Sequence, residues 1–274
     1  MNKYSYQIAL ILVCLVIASE ELAAKQLSAG EIVHRANQVS YYAGQDGRAK
    51  ADMTITDDKG RKRHRQMILL RRDIAETDEL ENNAYLSEQQ LYVYFTHPTD
   101  VNRTGFLVWK NVTANDERWL YLPSLDLVRR IAASDKRTSF VGSDFFYEDI
   151  SGRNINDDHH ELIETTNNYY VIRNTPYDPA SVEFQFYTMY IHKETFIPVQ
   201  IEYYDQKNEL YRVGKTLKVE TIQGYPTITK ASMENLKSGS STIMEYSDIQ
   251  YNIDLTNEIF SERYLRNPPQ KFLY

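Results

Sequence analysis

The sequence predicts a mainly β (α+β) fold in which an antiparallel β-meander follows one N-terminal helix. From Arg48 onward, short alternating runs rich in Val, Ile, Thr, Tyr and Phe are separated by clusters of Asp, Asn, Gly and Pro, a pattern typical of strands joined by turns. Ahead of these runs, apolar residues recur at helical spacing. No segment repeats at a fixed period, which argues against a propeller or a solenoid.

The N-terminal helix is predicted over residues 27–40. Ser28 is placed to cap it, and Glu31 follows three residues later, which is the spacing of a capping box. The apolar face of this helix consists of Leu27, Ile32, Val33, Ala36 and Val39. Such a face needs cover, and a curved sheet would supply it.

Twelve segments are candidate strands. They are Arg48 to Thr56, His64 to Arg71, Gln90 to Thr96, Thr104 to Lys110, Glu117 to Leu122, Leu127 to Ile131, Tyr169 to Asn174, Phe184 to His192, Pro198 to Tyr204, Tyr211 to Ile222, Pro226 to Asn235, and Ser240 to Tyr251. Because twist accumulates from strand to strand, a meander of this length must curl into a barrel or half-barrel, or fold into two packed sheets.

The first 24 residues predict a signal peptide. An apolar run from Ile8 to Ala18 is too short to cross a hydrocarbon core of about 30 Å. A small-residue ending at Ala23 and Ala24 then places cleavage after Ala24. We therefore expect an exported protein whose mature part, residues 25–274, is a single domain. The alternatives are an uncleaved membrane anchor and a buried N-terminal helix.

Composition excludes several classes of function. The one cysteine, Cys14, lies in the predicted signal peptide, so the mature protein would lack disulfides, thiolate catalysis and Cys-ligated zinc. The net charge of -7 argues against a nucleic-acid partner, because phosphate binding needs a basic surface.

Candidate catalytic and metal-binding groups are sparse. No nucleophile elbow, P-loop, dinucleotide fingerprint or His-Glu-x-x-His motif occurs. Residues 157–161 (DDHHE) contain metal-ligand types, but neighbouring residues on a strand point to opposite faces, so a solvated turn is the favoured interpretation. Asp144, Glu148 and Asp149 form an acidic group that could serve acid/base chemistry or hold calcium. Since nothing completes either site, we predict a protein that is not an enzyme and needs no metal or cofactor.

Aromatic residues are more frequent in the sequence than candidate catalytic or metal-binding groups, and they suggest a binding site. In an exported half-barrel they would line a lipid-sized hydrophobic cavity and its gate; the alternative is that they fill the core. The candidates are Phe106, Trp109, Trp119, Tyr121, Phe140, Phe145 and Phe146.

Several motifs carry a family resemblance. Residues 116–125 (DERWLYLPSL), Arg129-Arg130-Ile131 and residues 139–149 (SFVGSDFFYED) resemble the outer-membrane lipoprotein-sorting-like family of periplasmic proteins, relatives of the lipoprotein carrier LolA and the receptor LolB. Glu31-Ile32-Val33, residues 196–205 (FIPVQIEYYD) and residues 260–265 (FSERYL) look like the same family. The resemblance therefore extends over nearly the whole mature chain.

The resemblance implies an open, incomplete antiparallel β-barrel of about eleven strands, with the N-terminal helix and short helices covering its concave face. It also implies a periplasmic carrier that holds the acyl chains of a lipid or lipoprotein in a hydrophobic cavity. Its partner would be a membrane transporter of the resistance-nodulation-division type or an outer-membrane receptor, through which it would associate with a membrane. The alternative is a non-carrier accessory subunit of such a transporter.

Two segments are candidates for controlling access. The loop from Ala132 to Gly152 combines flexible positions with apolar ones and is a candidate gate. Arg129 and Arg130 are candidate contacts for an anionic lipid headgroup or an acidic partner. The alternative for the arginine pair is an ordinary solvated face of a strand.

Overall fold

One antiparallel sheet of thirteen strands dominates the computed structural model, which describes residues 26–74 and 88–273. The strands are β1 (Asp46–Thr56), β2 (Lys62–Ile74), β3 (Glu88–His97), β4 (Gly105–Lys110), β5 (Glu117–Leu122), β6 (Leu127–Ile131), β7 (Asp158–Thr165), β8 (Tyr169–Pro176), β9 (Phe184–His192), β10 (Pro198–Asp205), β11 (Leu210–Ile222), β12 (Tyr225–Asn235) and β13 (Ser240–Tyr251). All twelve predicted strands are present. The predicted signal peptide, residues 1–24, lies outside the described residues.

The sheet is open, as predicted, but it consists of two meanders. The strand order is β6-β5-β4-β3-β2-β1-β13-β12-β11-β10-β9-β8-β7, so β6 and β7 form its two edges. The chain runs outward from β1 to β6, crosses to the opposite edge, and returns from β7 to β13, which pairs with β1. We call residues 132–157, which make this connection, the crossover segment.

Strand β7 is the element that the sequence pattern missed. Residues 157–161 were expected to form a solvated turn, and this expectation was wrong. A short 3-10 turn ends at Asp157, and Asp158 begins β7, where it is almost fully buried. The pattern missed the strand because its polar residues alternate without an apolar face, and because Asp158 and His160 find partners on Arg153 and Asn174.

Helix α1 (Ala29–Tyr41) confirms the predicted helix and its cap. Ser28 Oγ accepts a hydrogen bond from the Glu31 backbone N–H at 3.2 Å, and the Glu31 carboxylate accepts one from the Ser28 N–H at 2.8 Å. This capping box satisfies donors that the first helical turn leaves free. The apolar side of the helix buries Ile32 and Val33 against Ile172 of β8 and Ile191 of β9.

The two faces of the sheet carry separate apolar clusters. Alternate residues of each strand point to opposite faces, so Val93 belongs to one cluster and Tyr92 to the other. The inner face, which includes Met53 and Val93, is covered by α1 and the crossover segment. The outer face, which includes Leu70 and Tyr92, is covered by residues 252–273, the C-terminal segment.

The C-terminal segment is held on the outer face by a carboxylate of β1. Asp46 accepts hydrogen bonds from the backbone N–H groups of Ile253 at 2.7 Å and Leu255 at 2.8 Å. Beyond this point the segment forms the short helix α3 (Glu262–Arg266), whose Leu265 is fully buried in the outer cluster. The inner face is thereby left to α1 and the crossover segment.

The crossover segment contains a single short helix, α2 (Tyr147–Ser151). Its Phe140 packs against Phe95 and Phe106 of the inner face, with ring centroids 5.7 and 5.5 Å apart. Within residues 26–74 and 88–273, no helix has the length and apolarity needed to cross a membrane.

Candidate functional site

A cavity of about 370 Å³ lies between the inner face of the sheet and its two covering elements. Helix α1, the crossover segment and strands β1–β3 and β9–β13 all contribute to its wall. Its apolar lining includes Val33, Leu69, Leu91, Met189, Ile201 and Tyr246. The chamber therefore resembles the concave, mostly apolar pockets that bind small molecules.

Small residues create this space. Gly47 and Ala49 of β1, Gly214 of β11 and Ala231 of β12 line the cavity at positions where bulky side chains would fill it. A Cβ atom at Gly214 would lie 3.1 Å from the Met233 Cε atom, so this strand already approaches its neighbour closely. The sequence contains this signal, because small residues interrupt strands otherwise rich in large ones, but only the strand register shows that they share a face.

One end of the cavity wall is ionic. Glu148 of α2 accepts from Lys136 at 3.1 Å, Arg137 at 3.2 Å and Arg153 at 3.2 Å, and its side chain is only 3% exposed. Burial acts to raise the pKa of Glu148, but the charges of Arg137, Arg153 and Lys136 outweigh it and lower that pKa to about 2. Glu148 is therefore ionised and fully paired.

The ionic network joins the crossover segment to the second meander. Arg212 of β11 pairs with Asp149 and donates to the backbone oxygen of Asp144 at 2.9 Å. Its guanidinium also lies over the ring of Phe146, 4.1 Å from the centroid. Arg153 binds Asp158 of β7 through two hydrogen bonds of 2.8 Å. The candidate gate is thus anchored to the strands on which it lies.

The network is close to charge balance. Its ion pairs join four cations to five carboxylates: Lys136, Arg137, Arg153 and Arg212, with Glu148, Asp149, Asp157, Asp158 and Glu183. Because every cation has an acidic partner and the acids are one in excess, this end of the cavity offers no attraction for an anionic headgroup.

The acidic group of Asp144, Glu148 and Asp149, considered from the sequence for acid/base chemistry or calcium, makes structural contacts instead. Asp144 accepts from the Thr242 hydroxyl at 2.7 Å, while Glu148 and Asp149 are occupied by arginines. In the described part of the chain, no three His, Cys, Asp or Glu side chains are grouped so that they could hold a metal ion.

The predicted aromatic residues separate into two groups. Phe145 lines the cavity. Phe106 and Phe140 are fully buried in the inner cluster behind it, and Phe146 is placed between Arg137 and Arg212, 4.9 and 4.1 Å from their guanidinium carbons. The acyl-binding role of these four inner residues stays a prediction.

Trp109, Trp119 and Tyr121 lie on the outer face, away from the cavity. Trp119 and Tyr121 belong to the cluster under the C-terminal segment. Trp109 packs edge-on against Trp119, with ring centroids 5.0 Å apart, and donates to the Phe260 backbone oxygen at 2.8 Å. The alternation of side chains along β4 and β5 explains this placement, and these three residues have no part in the function proposed below.

Arg129 and Arg130 lie on the edge strand β6. Their side chains are 60% and 63% exposed. Arg130 pairs with Glu117, and Arg129 lies 3.9 Å from Asp135. Their contact with a headgroup or partner stays a prediction.

Lys110 of β4 is a buried base close to the end of the crossover segment. It donates to the Ser151 backbone oxygen at 3.1 Å and lies 5.4 Å from the centre of the Tyr41 ring and 5.7 Å from that of Tyr42. Burial lowers the pKa of Lys110 to about 8, since it disfavours the charged form and the nearby carboxylates compensate only in part.

The lowered pKa of Lys110 predicts that the contribution of this residue to stability rises with pH above about 8. Between the folded pKa of about 8 and the ordinary value of 10.5, the unfolded chain binds the proton and the folded chain does not. The contribution of Lys110 to the free energy of unfolding should then increase by up to about 1.4 kcal/mol per pH unit. Urea denaturation at pH 7.5 and 9.5 measures the slope in the wild-type protein and in Lys110→Met, and the wild-type slope should be the more positive because the tyrosines whose pKa values are raised by burial contribute an opposite slope to both proteins. An equal slope in both proteins would assign it to another group.

Comparisons with known proteins support the fold predicted from the sequence. A family model described as "Uncharacterized protein" matches residues 87–267, which is more than half of the chain. No curated protein matches this chain. A DUF1329 family protein from Desulfovibrio piger is 26% identical, with a TM-score of 0.76 over 86% of this chain and 97% of that one.

Two further solved structures share the fold. An outer membrane lipoprotein-sorting protein domain from Vibrio parahaemolyticus is 24% identical, with a TM-score of 0.75 over 87% of this chain and 98% of that one. A LolA superfamily protein from Nitrosomonas europaea is 21% identical, with a TM-score of 0.66 over 87% of this chain and all of that one. The predicted resemblance to the LolA-like fold is confirmed.

Proposed function

We propose that this protein is a periplasmic carrier of acyl chains. The chain belongs to the family whose model is described as "Uncharacterized protein" and matches residues 87–267. The observation that carries the proposal is the apolar cavity between the inner face, α1 and the crossover segment. The LolA-like fold and the predicted signal peptide support the same function. The cargo would be a lipid or the lipid anchor of a lipoprotein.

The size of the cavity suits one acyl chain. A volume of about 370 Å³ holds roughly a dozen groups of the size of a water molecule, each of which occupies about 30 Å³. Burying a methylene group is favourable by about 0.8 kcal/mol, so ten of them would supply about 8 kcal/mol without any polar contact. A carrier of this kind needs no catalytic residue.

The ionic end of the cavity suggests how the cargo is oriented. An anionic headgroup gains nothing from a network in which every cation already has a partner. The headgroup therefore remains at the opening, and the chain enters first. Arg129 and Arg130, exposed on β6, would meet lipid headgroups or an acidic partner outside the cavity.

Residues 132–152 of the crossover segment form the proposed gate, and a partner opens it. The crossover segment covers the cavity, and ion pairs and the packing of Phe140 keep it in the closed position. A protein partner at the membrane would therefore supply the energy needed to open the cavity. We propose that this partner is a transporter of the resistance-nodulation-division type or an outer-membrane receptor. The presence of a cavity favours the carrier over an accessory subunit whose inner face is filled by its own helix.

Blocking the cavity tests the proposal. Ala231→Trp places an indole in the chamber, whereas Lys230→Trp places one on the outer face, where Lys230 pairs with Glu245 at 2.7 Å. Binding of a twelve-carbon lysophosphatidylcholine to the mature protein from Lys25 onward, measured by titration calorimetry, should weaken at least tenfold in the first variant and stay unchanged in the second.

Unchanged binding by Ala231→Trp would contradict the proposal. Overpacking also costs stability, commonly about 1–3 kcal/mol, so the melting temperature of each variant is measured first. Ala49→Phe, on β1 at a different point of the wall, should weaken binding in the same way if Ala231→Trp does not fold.

A further inference from the structure

An amide donor without a partner lines the cavity. Asn37 of α1 is 93% buried, and no protein group accepts a hydrogen bond from its Nδ2 atom. Five buried polar side-chain atoms in the described part of the chain lack a partner; they belong to Asn37, Arg72, Gln90, Arg118 and Thr229. Asn37 is the one of these residues that contributes to the wall of the cavity.

The local structure explains why Asn37 Nδ2 is left free. Val33, one helical turn earlier on the same side of α1, is apolar. Of the strand residues that line the cavity, Met189, Ile201 and Ala231 have no side-chain acceptor. Gln89, Thr216, Thr227 and Ser232 have one, but none of them accepts a hydrogen bond from Asn37 Nδ2.

A buried donor without an acceptor is costly, because it loses its hydrogen bonds to water and gains nothing in return. The cost is removed when a ligand in the cavity brings an acceptor. A hydrocarbon chain has none, but an acyl chain carries a carbonyl oxygen at its head. Phosphate and hydroxyl oxygens of a headgroup also accept hydrogen bonds, but in the proposed orientation they remain at the opening. The ester or amide carbonyl is therefore the acceptor that enters the cavity with the chain.

We propose that Asn37 Nδ2 donates a hydrogen bond to the carbonyl oxygen of the bound acyl chain. The inference rests on the proposed carrier function and adds a specificity to it: the protein distinguishes acyl-linked chains from alkyl chains of equal length. The same hydrogen bond sets how deeply the chain enters, since the carbonyl is fixed beside α1 and the methylenes extend beyond it.

The test compares two ligands that differ only in the carbonyl group. A twelve-carbon lysophosphatidylcholine presents an ester carbonyl, and its ether-linked analogue presents none. The wild-type protein should bind the ester about tenfold more tightly than the ether, the effect of leaving a buried donor unpaired. In Asn37→Leu the ratio of the two dissociation constants should fall to about one.

Val33→Ala is the matched control, because it changes the same side of α1 without removing a polar group. It should weaken both ligands equally and keep their ratio. A ratio near one in the wild-type protein, or an unchanged ratio in Asn37→Leu, would overturn the role of Asn37 while leaving the carrier function in place. Failure of the wild-type protein to bind either ligand would overturn both.

Thermal unfolding of the ligand-free protein gives a second readout. Replacing a side chain that buries the unpaired Nδ2 donor by an apolar one of similar size removes the cost of that donor, so Asn37→Leu should raise the melting temperature. A clear decrease would mean that the amide supports the fold, and would contradict a donor reserved for the ligand.

Discussion

Replacing Glu148 by Gln should lower the free energy of unfolding by about 3–5 kcal/mol, the usual cost of breaking a buried ion pair from one side. Lys136, Arg137 and Arg153 all pair with this carboxylate, and their side chains are themselves at most 14% exposed. Without Glu148 their charges stay buried with fewer partners. Urea denaturation at pH 7 measures the loss.

Asp157→Asn is the matched control for Glu148→Gln. Asp157 contacts two of the same cations, at 3.5 Å from Lys136 and 3.8 Å from Arg153, but its side chain is 39% exposed. Water screens such a pair, so its loss should cost less than about 1 kcal/mol. Equal effects of the two substitutions would contradict the central position of Glu148 in the network.

Glu148 also determines part of the loss of stability at acid pH. The pKa of Glu148 is about 2 in the folded protein and 4.5 in its ordinary state. Its contribution to stability is therefore complete above pH 4.5 and is lost as the pH falls toward 2. The wild-type protein should lose more stability between pH 5 and 3 than Glu148→Gln does.

Replacing Phe140 by Ala should destabilise the protein by about 3–5 kcal/mol. Phe140 is fully buried, and its ring packs against Phe95, Phe106 and Tyr147 with centroids 5.5–5.7 Å apart. The substitution leaves a void under the crossover segment, where surrounding strands restrict collapse. Denaturant unfolding monitored by circular dichroism measures the change.

Phe186→Ala provides the comparison for Phe140→Ala. Phe186 stacks on Tyr204 with centroids 4.6 Å apart, but both side chains are only half-buried. Its loss should cost about 1 kcal/mol. An equal loss of unfolding free energy in Phe186→Ala and Phe140→Ala would contradict the importance of Phe140 for packing the crossover segment on the sheet.

Local patterns in the sequence predict most elements of this fold. The bounds of β5, β6, β9 and β13 agree with their predicted ranges, and Ser28 with Glu31 correctly marks the start of α1. These features depend on alternation, spacing and capping, which are properties of neighbouring residues. Alternation also predicted an antiparallel meander that cannot remain flat, and the family resemblance, not the alternation, implied that the sheet is open.

The features that escaped prediction depend on contacts between distant parts of the chain. Asp158 is buried at the start of edge strand β7 because Arg153 and Tyr187 bind its carboxylate, and no local pattern reveals these partners. The crossing from β6 to β7 is likewise a matter of topology. The described residues contain thirteen strands, whereas the sequence pattern named twelve because β7 was read as a turn, and the resemblance implied about eleven.

The candidate site was harder to predict than the fold because strand register decides which face a residue occupies. Phe106 and Trp109 lie three positions apart on β4, and they belong to opposite faces. The sequence analysis predicted a cavity lined by large aromatic side chains, whereas the space of the cavity depends on small residues such as Ala49 and Ala231. Asn37 was missed because a single amide in an amphipathic helix has no distinguishing pattern.

The most direct test of the account is native mass spectrometry of the mature protein from Lys25 onward, purified gently from a periplasmic extract. Organic extraction then identifies whatever has remained bound. The proposed carrier function predicts one bound acyl-chain lipid or acylated peptide per protein molecule, and Ala231→Trp should be purified without it. An empty protein that also refuses added lysophosphatidylcholine would contradict the carrier function and favour an accessory subunit.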